Sequence, residues 1–350
     1  MSRALFELLA EHASQGGDPV ANRDAARWIK RKDAADLALM DSASAEPRIV
    51  TRQIRLVRIN HNDESYFCTF GLPETEEEPP DLEIVDATPG IFALSVLEAN
   101  VRPLSTVTAA VVKNVLDEQF HDNGSGYEGH ELEEIISCFP SLVVYHATVP
   151  ATYHEITDRV LGSILARTYF DGPISLEPET IYALTELFET DCELIPFRNI
   201  VQGVLSISWE NLFLECYRCI EQLYGMWRFL ELKNELNFAL SPRDLAKLIE
   251  DQLSWRPKEN EAFADLIKRC DEALISSICA SLAVEGETHE KCSSKLAAML
   301  YALRNNIVHY RPANSVVDKT DADWNIIIQA MLKLVAELYN HHARPFFGAA

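Results

Sequence analysis

Apolar positions follow a helical period at the start of the chain, alternate through its first half, and return to a helical period from about residue 175 onward. Residues 3–13 place Leu5, Leu8, Leu9 and His12 on one side and predict a helix. Residues 22–40 predict a second helical stretch, basic at Lys30, Arg31 and Lys32. From Arg52 to Ile59, Ile54 and Leu56 fall on one side and Arg55 and Arg58 toward the other, as in a half-buried strand. Ser65 to Phe70 reads as its partner, with His61-Asn62-Asp63-Glu64 as the turn. Glu74 to Pro80 is an acidic, Pro-ended loop, followed by short apolar runs at 82–86 and 91–97, a loop at 122–126, and a strand-like run from Ser141 to Val149. The first half therefore mixes α and β.

Strand signals then vanish. Pro178 to Thr190 is helical, with Glu179 in its first turn. Longer helical patterns follow at 201–238, 242–254, 259–283, 287–309 and 320–343. Breaks fall at Ser241-Pro242, Trp255-Arg256-Pro257 and Tyr310-Arg311-Pro312, because a proline disfavours helix at the residue before it. The expected fold class is α+β: a mixed α/β domain over 1–170, then an all-α helical bundle over 175–345.

Charge divides the chain in the same way. The net charge over the 350 residues is −23; residues 1–200 carry −19 of it and residues 201–350 only −4. An acidic surface repels phosphate, so the N-terminal half is a poor nonspecific nucleic-acid binder. The nearly balanced C-terminal half has no such handicap. Eight cysteines are scattered without framework spacing, which argues against a secreted disulfide scaffold. Met1 to Ser14 carries Glu7 and Glu11 within its apolar pattern, unlike a signal peptide. No run of about 18 apolar residues occurs. The expectation is a soluble, cytoplasmic protein that makes no use of a membrane.

The stretch from Leu296 to Pro312 holds the most chemistry. Leu296, Met299, Leu300, Leu303 and Ile307 form a core stripe, and Arg304, Asn305, Asn306, His309 and Arg311 gather beside it. Asn305 and His309 are four apart and share a helix face, whereas Arg304 and His309 lie ~140° apart on a straight helix. Either the helix ends near His309, or the pair meets a ligand from two sides of a cleft. These side chains suit phosphodiester cleavage: a histidine to move a proton near neutral pH, an arginine to fork onto phosphate. With RNA the 2′-hydroxyl is a built-in nucleophile, and no metal or other cofactor is needed. Spacing alone favours a polar helix C-terminus over a catalytic site, since His and Arg suit the negative end of the dipole.

Arg304-Asn305-x-x-x-His309, late in an all-α domain, resembles the Arg-x4–6-His signature of the HEPN superfamily (higher eukaryotes and prokaryotes nucleotide-binding). Asn305 matches the polar residue that commonly follows the arginine, and Phe213-Leu214-x-x-Tyr217-Arg218-x-Ile220-Glu221 resembles the family's early helix. The resemblance covers about residues 175–345. It implies a metal-independent endoribonuclease, a toxin or antiphage effector, that pairs two motifs across a homodimer cleft. Arg304 would hold the scissile phosphate, His309 would shuttle the proton, Asn305 would orient, and Asn306 and Arg311 would contact RNA in single-stranded regions. The alternative within the family is a module that has lost catalysis and binds protein, nucleotide or RNA. The acidic N-terminal domain then reads as a sensor for a regulatory ligand or partner, with Glu74 to Glu78 either masking the basic cleft or simply solvated.

Other motifs carry less. Cys216-x-x-Cys219 lies in an apolar helical pattern and reads as core. His121, Asp122, Glu128, His130 and Cys138 match no known metal spacing and read as a solvated loop. His341-His342 reads as an exposed tail and His289 as a helix-start residue. Walker and nucleophile-elbow motifs are absent.

Overall fold

The structure is a computed structural model that describes residues 2–18, 20, 26–30, 34–118, 127–149, 157–169, 172–309 and 318–348. The chain forms two compact units, Met1–Thr157 and Asp158–Ala350. The described strands all belong to the first and the second is built of helices, so the fold class is α+β.

The first unit holds a five-stranded antiparallel sheet. Its strands are β1 (Ser44–Ile49), β2 (Arg55–His61), β3 (Glu64–Phe70), β4 (Leu82–Val85) and β5 (Leu142–Ala147), in the order β1-β2-β3-β5-β4. The expected hairpin is present: His61 pairs with Glu64 across a two-residue turn, and Asn62 and Asp63 both take positive φ, 48° and 67°. That turn matches the twist of its strands, and Asn and Asp tolerate the left-handed region best after glycine. β1 had no strand signal. It is mostly exposed and carries Pro47 opposite Val57, so neither alternation nor β-propensity marks it; an edge position is where proline is tolerated.

The helices of this unit are α1 (Ser2–Gln15), α2 (Ala34–Ser42), α3 (Pro89–Glu98), α4 (Ala109–Glu118) and α5 (Leu132–Ile136). Leu5 and Leu9 of α1, Phe92 and Val96 of α3, and Val112 and Leu116 of α4 form one apolar core with Val57, Ile59, Cys68, Phe70 and Val144 of the sheet. The carboxylate of Asp36 ties α2 to α3 by accepting from Thr88 Oγ1 at 2.6 Å and Gly90 N at 2.8 Å. The expected helix over 22–40 begins only at Ala34, and its residues 22–25 and 31–33 lie outside the described residues. Ile29 instead forms a parallel bridge with His130, with Lys30 N donating to His130 O at 2.8 Å and His130 N to Trp28 O at 2.9 Å. The helical spacing there is overridden by a long-range backbone pairing that sequence does not display.

The second unit contains α6 (Thr157–Arg167), α7 (Pro178–Glu189), α8 (Phe197–Val204), α9 (Trp209–Glu221), α10 (Met226–Leu236), α11 (Pro242–Leu253), α12 (Glu259–Ile267), α13 (Glu272–Ser281), α14 (His289–Val308), α15 (Asp321–Leu338), a π-turn (Tyr339–Ala343) and α16 (Arg344–Phe347). The sequence division at about 170 places α6 in the first part, but α6 packs on α7. Arg159 Nε donates to Phe188 O at 2.9 Å, and Arg167 pairs with Glu189 at 2.7 Å. The expected continuous helix over 201–238 is three helices. Ser208 caps α9 by accepting from Asn211 N, and Gly225 takes φ 73° before α10, a conformation costly for any residue with a Cβ. The pattern over 259–283 likewise breaks where Asp271 caps α13.

α9 and α15 form the centre of this unit. Leu212, Phe213, Cys216 and Ile220 of α9 and Ile328, Met331, Leu334 and Val335 of α15 are buried. Trp209 stacks on Trp324 with centroids 6.5 Å apart and donates Nε1–H to Asp321 at 2.8 Å. Buried Asn325 accepts from Glu177 N and Thr180 Oγ1 and donates to Ser175 O, joining α7 to α15.

Candidate functional site

α14 presents the Arg/His cluster. Thr288 caps its N-terminus, and Ser293, Leu296, Ala297, Leu300 and Leu303 face the core, while Met299 and Ile307 are half-buried. The helix ends at Val308. His309 leaves the helical conformation at φ −108°, ψ 103°, with its N–H still bonded to Asn305 O at 2.9 Å. Of the two arrangements the spacing left open, the structure takes the first: the helix terminates at His309, whose side chain is exposed.

Arg304 turns inward. Its side chain is 15 % exposed and pairs with Glu221 of α9 at 3.2 Å and Glu259 of α12 at 3.3 Å. It also donates to Asn305 Oδ1 at 3.2 Å and lies 5.9 Å from the Tyr217 ring centroid. Burial pushes the Glu221 carboxyl above the usual carboxylate range, an effect that outweighs the opposing pull of Arg304. Tyr224 donates its hydroxyl proton to the Tyr217 hydroxyl at 2.7 Å, beneath Phe263, and burial raises both phenols.

Arg304, Glu221, Glu259 and Tyr224 line a cleft of about 630 Å³. Arg243, Lys247 and Arg256 bring cations to its wall, and Phe229 and Trp255 bring aromatic surface. Glu250 answers Arg256, and the Arg243 guanidinium stacks 4.9 Å from the Phe347 centroid. The cleft therefore mixes both signs of charge with flat apolar faces.

The sequence-identified residues separate here. Arg304 lines the cleft; Asn305 supports it; Asn306 is half-buried on α14; His309 stands at the helix end and is not part of the cleft wall. Arg311 lies outside the described residues. Glu259 was missed, because nothing local marks a residue 45 positions from its partner; Glu221 and Tyr217 fall in the stretch compared with the early helix.

The remaining motifs have structural tasks. Cys216 and Cys219 are buried, and burial pushes the Cys216 thiol up to about 12. His130 is buried rather than in a solvated loop. Its ring lies 5.1 Å from Phe6 and 5.5 Å from Tyr127, and burial holds it down at about 4. His121 and Asp122 lie outside the described residues. His342 is not an exposed tail. The π-turn sets its ring edge-on to Trp227 at 5.3 Å, 21 % exposed, while His341 remains exposed. His289 opens α14 and meets Lys268 O at 3.0 Å. In the acidic loop, Glu78 accepts from Ile84 N at 2.8 Å, a local contact that anchors β4. Gly124 to Gly129 spells G-x-G-x-x-G. It follows α4, and among the described residues no strand leads into it as a dinucleotide-binding turn requires. Among the described residues no group of three or more His, Cys, Asp or Glu side chains is placed to hold a metal ion, and no helix is long and apolar enough to cross a membrane.

Comparison of the chain with protein-family models, with curated proteins and with solved structures finds no match.

Proposed function

We propose that the second unit is a metal-independent endoribonuclease of HEPN type, acting on single-stranded RNA as a homodimer that serves as a toxin or antiphage effector. One observation carries this reading: Arg304 sits in the wall of a cleft that also holds Arg243, Lys247 and Arg256, five residues before an exposed histidine at the end of the same helix. His309 takes the proton from the 2′-hydroxyl, whose oxygen attacks the phosphorus. The P–O5′ bond breaks and the 5′-oxygen leaves as a hydroxyl by taking a proton from water, to which the His309 imidazolium returns its own. Arg304 stabilises the charge that builds on the phosphoryl oxygens. Since His309 is not part of the cleft wall around Arg304, a second copy supplies the facing histidine. Asn305 orients Arg304, and Asn306 and Arg311 contact the RNA backbone. Phosphate has to displace a carboxylate from Arg304, and Glu259, 46 % exposed against 29 % for Glu221, is the one that yields.

The test is cleavage of single-stranded RNA by the full chain in EDTA. The expected products end in 2′,3′-cyclic phosphate and 5′-hydroxyl, with Arg304→Ala and His309→Ala each slower by at least about 10²-fold. The double clamp on Arg304 favours a second reading, a binding module whose arginine is spent internally. No cleavage by wild type or by Glu259→Gln, in a folded dimer, would establish that reading and overturn the first.

A further inference from the structure

The first unit holds a basic pocket of its own, built from residues other than Arg304 and His309. At the end of the sheet where β2 begins and β3 ends, a pocket of about 540 Å³ is walled by Arg52, Arg55 and Arg102, and among the described residues no carboxylate lines it. This occurs within the half of the chain that holds −19 of the net charge. Elsewhere in the unit Arg3 pairs with Glu7, Arg27 with Asp117 and Lys30 with Glu131. Among the described residues, Arg52, Arg55 and Arg102 pair with no acid.

Three guanidinium groups gathered without counter-charge repel one another, and an acidic chain has ample carboxylate with which to neutralise them. We propose that this pocket binds a phosphate-bearing small molecule of nucleotide size. The backbone around it is fixed in advance. Arg55 is aimed by its bonds to Ala99 O and Asn100 O, carbonyls at the end of α3, which orient the guanidinium without cancelling its charge. Leu104 N donates to Cys138 O at 2.9 Å and Gly71 N to Ser141 O at 3.2 Å, which sets the Arg102 and Ser141 segments. Gly71 has φ +77°, and a Cβ there would come within 2.5 Å of Gln53 O, so the strand end closes tightly on the Arg52 segment. Guanidinium forks match phosphate oxygens in geometry and charge. Val101, Pro103, Leu104 and Pro140 add an apolar wall for a ring, and the volume lies in the range of small-molecule sites.

The test is calorimetric titration of the full chain with the four common nucleoside 5′-monophosphates, with inorganic pyrophosphate and with adenosine. At least one monophosphate is expected to bind, about tenfold or more tighter than adenosine, and more weakly as salt rises. Arg52→Ala and Arg102→Ala, both exposed positions, should each weaken it about tenfold or more, while Arg3→Ala leaves it unchanged. The proposal is overturned if no monophosphate binds at about 1 mM, if pyrophosphate binds and no monophosphate does, or if the two arginine variants bind like wild type. It is also overturned if a short single-stranded RNA engages these arginines more tightly than any monophosphate.

Discussion

The two units treat arginine in opposite ways. In the more acidic unit, net −14 over Met1–Thr157, Arg52, Arg55 and Arg102 share a pocket that no described carboxylate lines, whereas in the less acidic one, net −9 over Asp158–Ala350, Arg304 is clamped by Glu221 and Glu259. Net charge would have predicted the reverse. What an anion meets is set by the few groups within about a Debye length of it, not by the sum over the chain. The arginines of the first pocket face an anion as they stand, whereas Arg304 of the second meets one only when a carboxylate gives way.

The buried titratable groups extend this contrast to pH. His130 is held down at about 4 from an ordinary 6.5, chiefly by burial, with Arg27 and Lys30 adding to the effect. Neither ring nitrogen has a hydrogen-bond partner, although Glu134 lies 3.9 Å from Nδ1. A depressed base stabilises the fold above its unfolded value, and that contribution is lost as pH falls from 6.5 toward 4. The loss amounts to ~3 kcal/mol at most for a shift of this size. Urea unfolding of the first unit between pH 7 and 4 should show that slope, and His130→Phe should remove most of it. An unchanged slope in the variant would place the acid sensitivity elsewhere.

The next largest effect sets the two arginine sites side by side. Arg304→Ala leaves two carboxylates facing each other across a partly buried site and should destabilise the second unit by ~1–2 kcal/mol, below the value for a fully buried pair because Glu259 is exposed. Arg52→Ala and Arg102→Ala should change the first unit by no more than ~0.5 kcal/mol, because they give up no partner. Equal losses at the two sites, read from denaturant midpoints, would erase the distinction.

The smallest effect is at Glu221. Its carboxyl is raised above an ordinary 4.5 despite the arginine beside it, so burial costs the charged form more than the pair returns. A raised acid stabilises below its unfolded value and loses that contribution as pH rises through its folded value, the opposite tilt to His130. Glu221→Gln should change stability at neutral pH by under ~1 kcal/mol and flatten the second unit's pH dependence just above 4.5. A loss beyond 2 kcal/mol, on the order of a broken buried pair, would mean that the pair is net stabilising.

Much of the architecture is legible in local pattern. The hairpin of β2 and β3 announces itself through alternation around Asn62-Asp63, and α7 and α11 through a proline in the first turn. What stays hidden is of two kinds. β1 is an edge strand whose exposed residues have no reason to alternate, and the Ile29–His130 bridge is fixed by pairing 101 positions apart. The long helical run over 201–238 hides its breaks because Ser208 and Gly225 act through backbone geometry, while the apolar spacing continues across them. At the candidate sites, Arg304 stands out by its motif. Glu259 and the grouping of Arg52, Arg55 and Arg102 do not, since they exist only once separate segments meet.

The strand order has a consequence for assembly. Among the described residues β1 and β4 are the two borders of the sheet. The first carries Pro47 flanked by Glu46 and Arg48, and the second is only four residues long, with Glu83 within it. A growing β-ladder needs an unbroken row of donors and acceptors on a flat border, and neither border offers one. Fibrillar stacking through the sheet is therefore discouraged at both ends, and copies of this chain at high concentration are left to associate through their other surfaces.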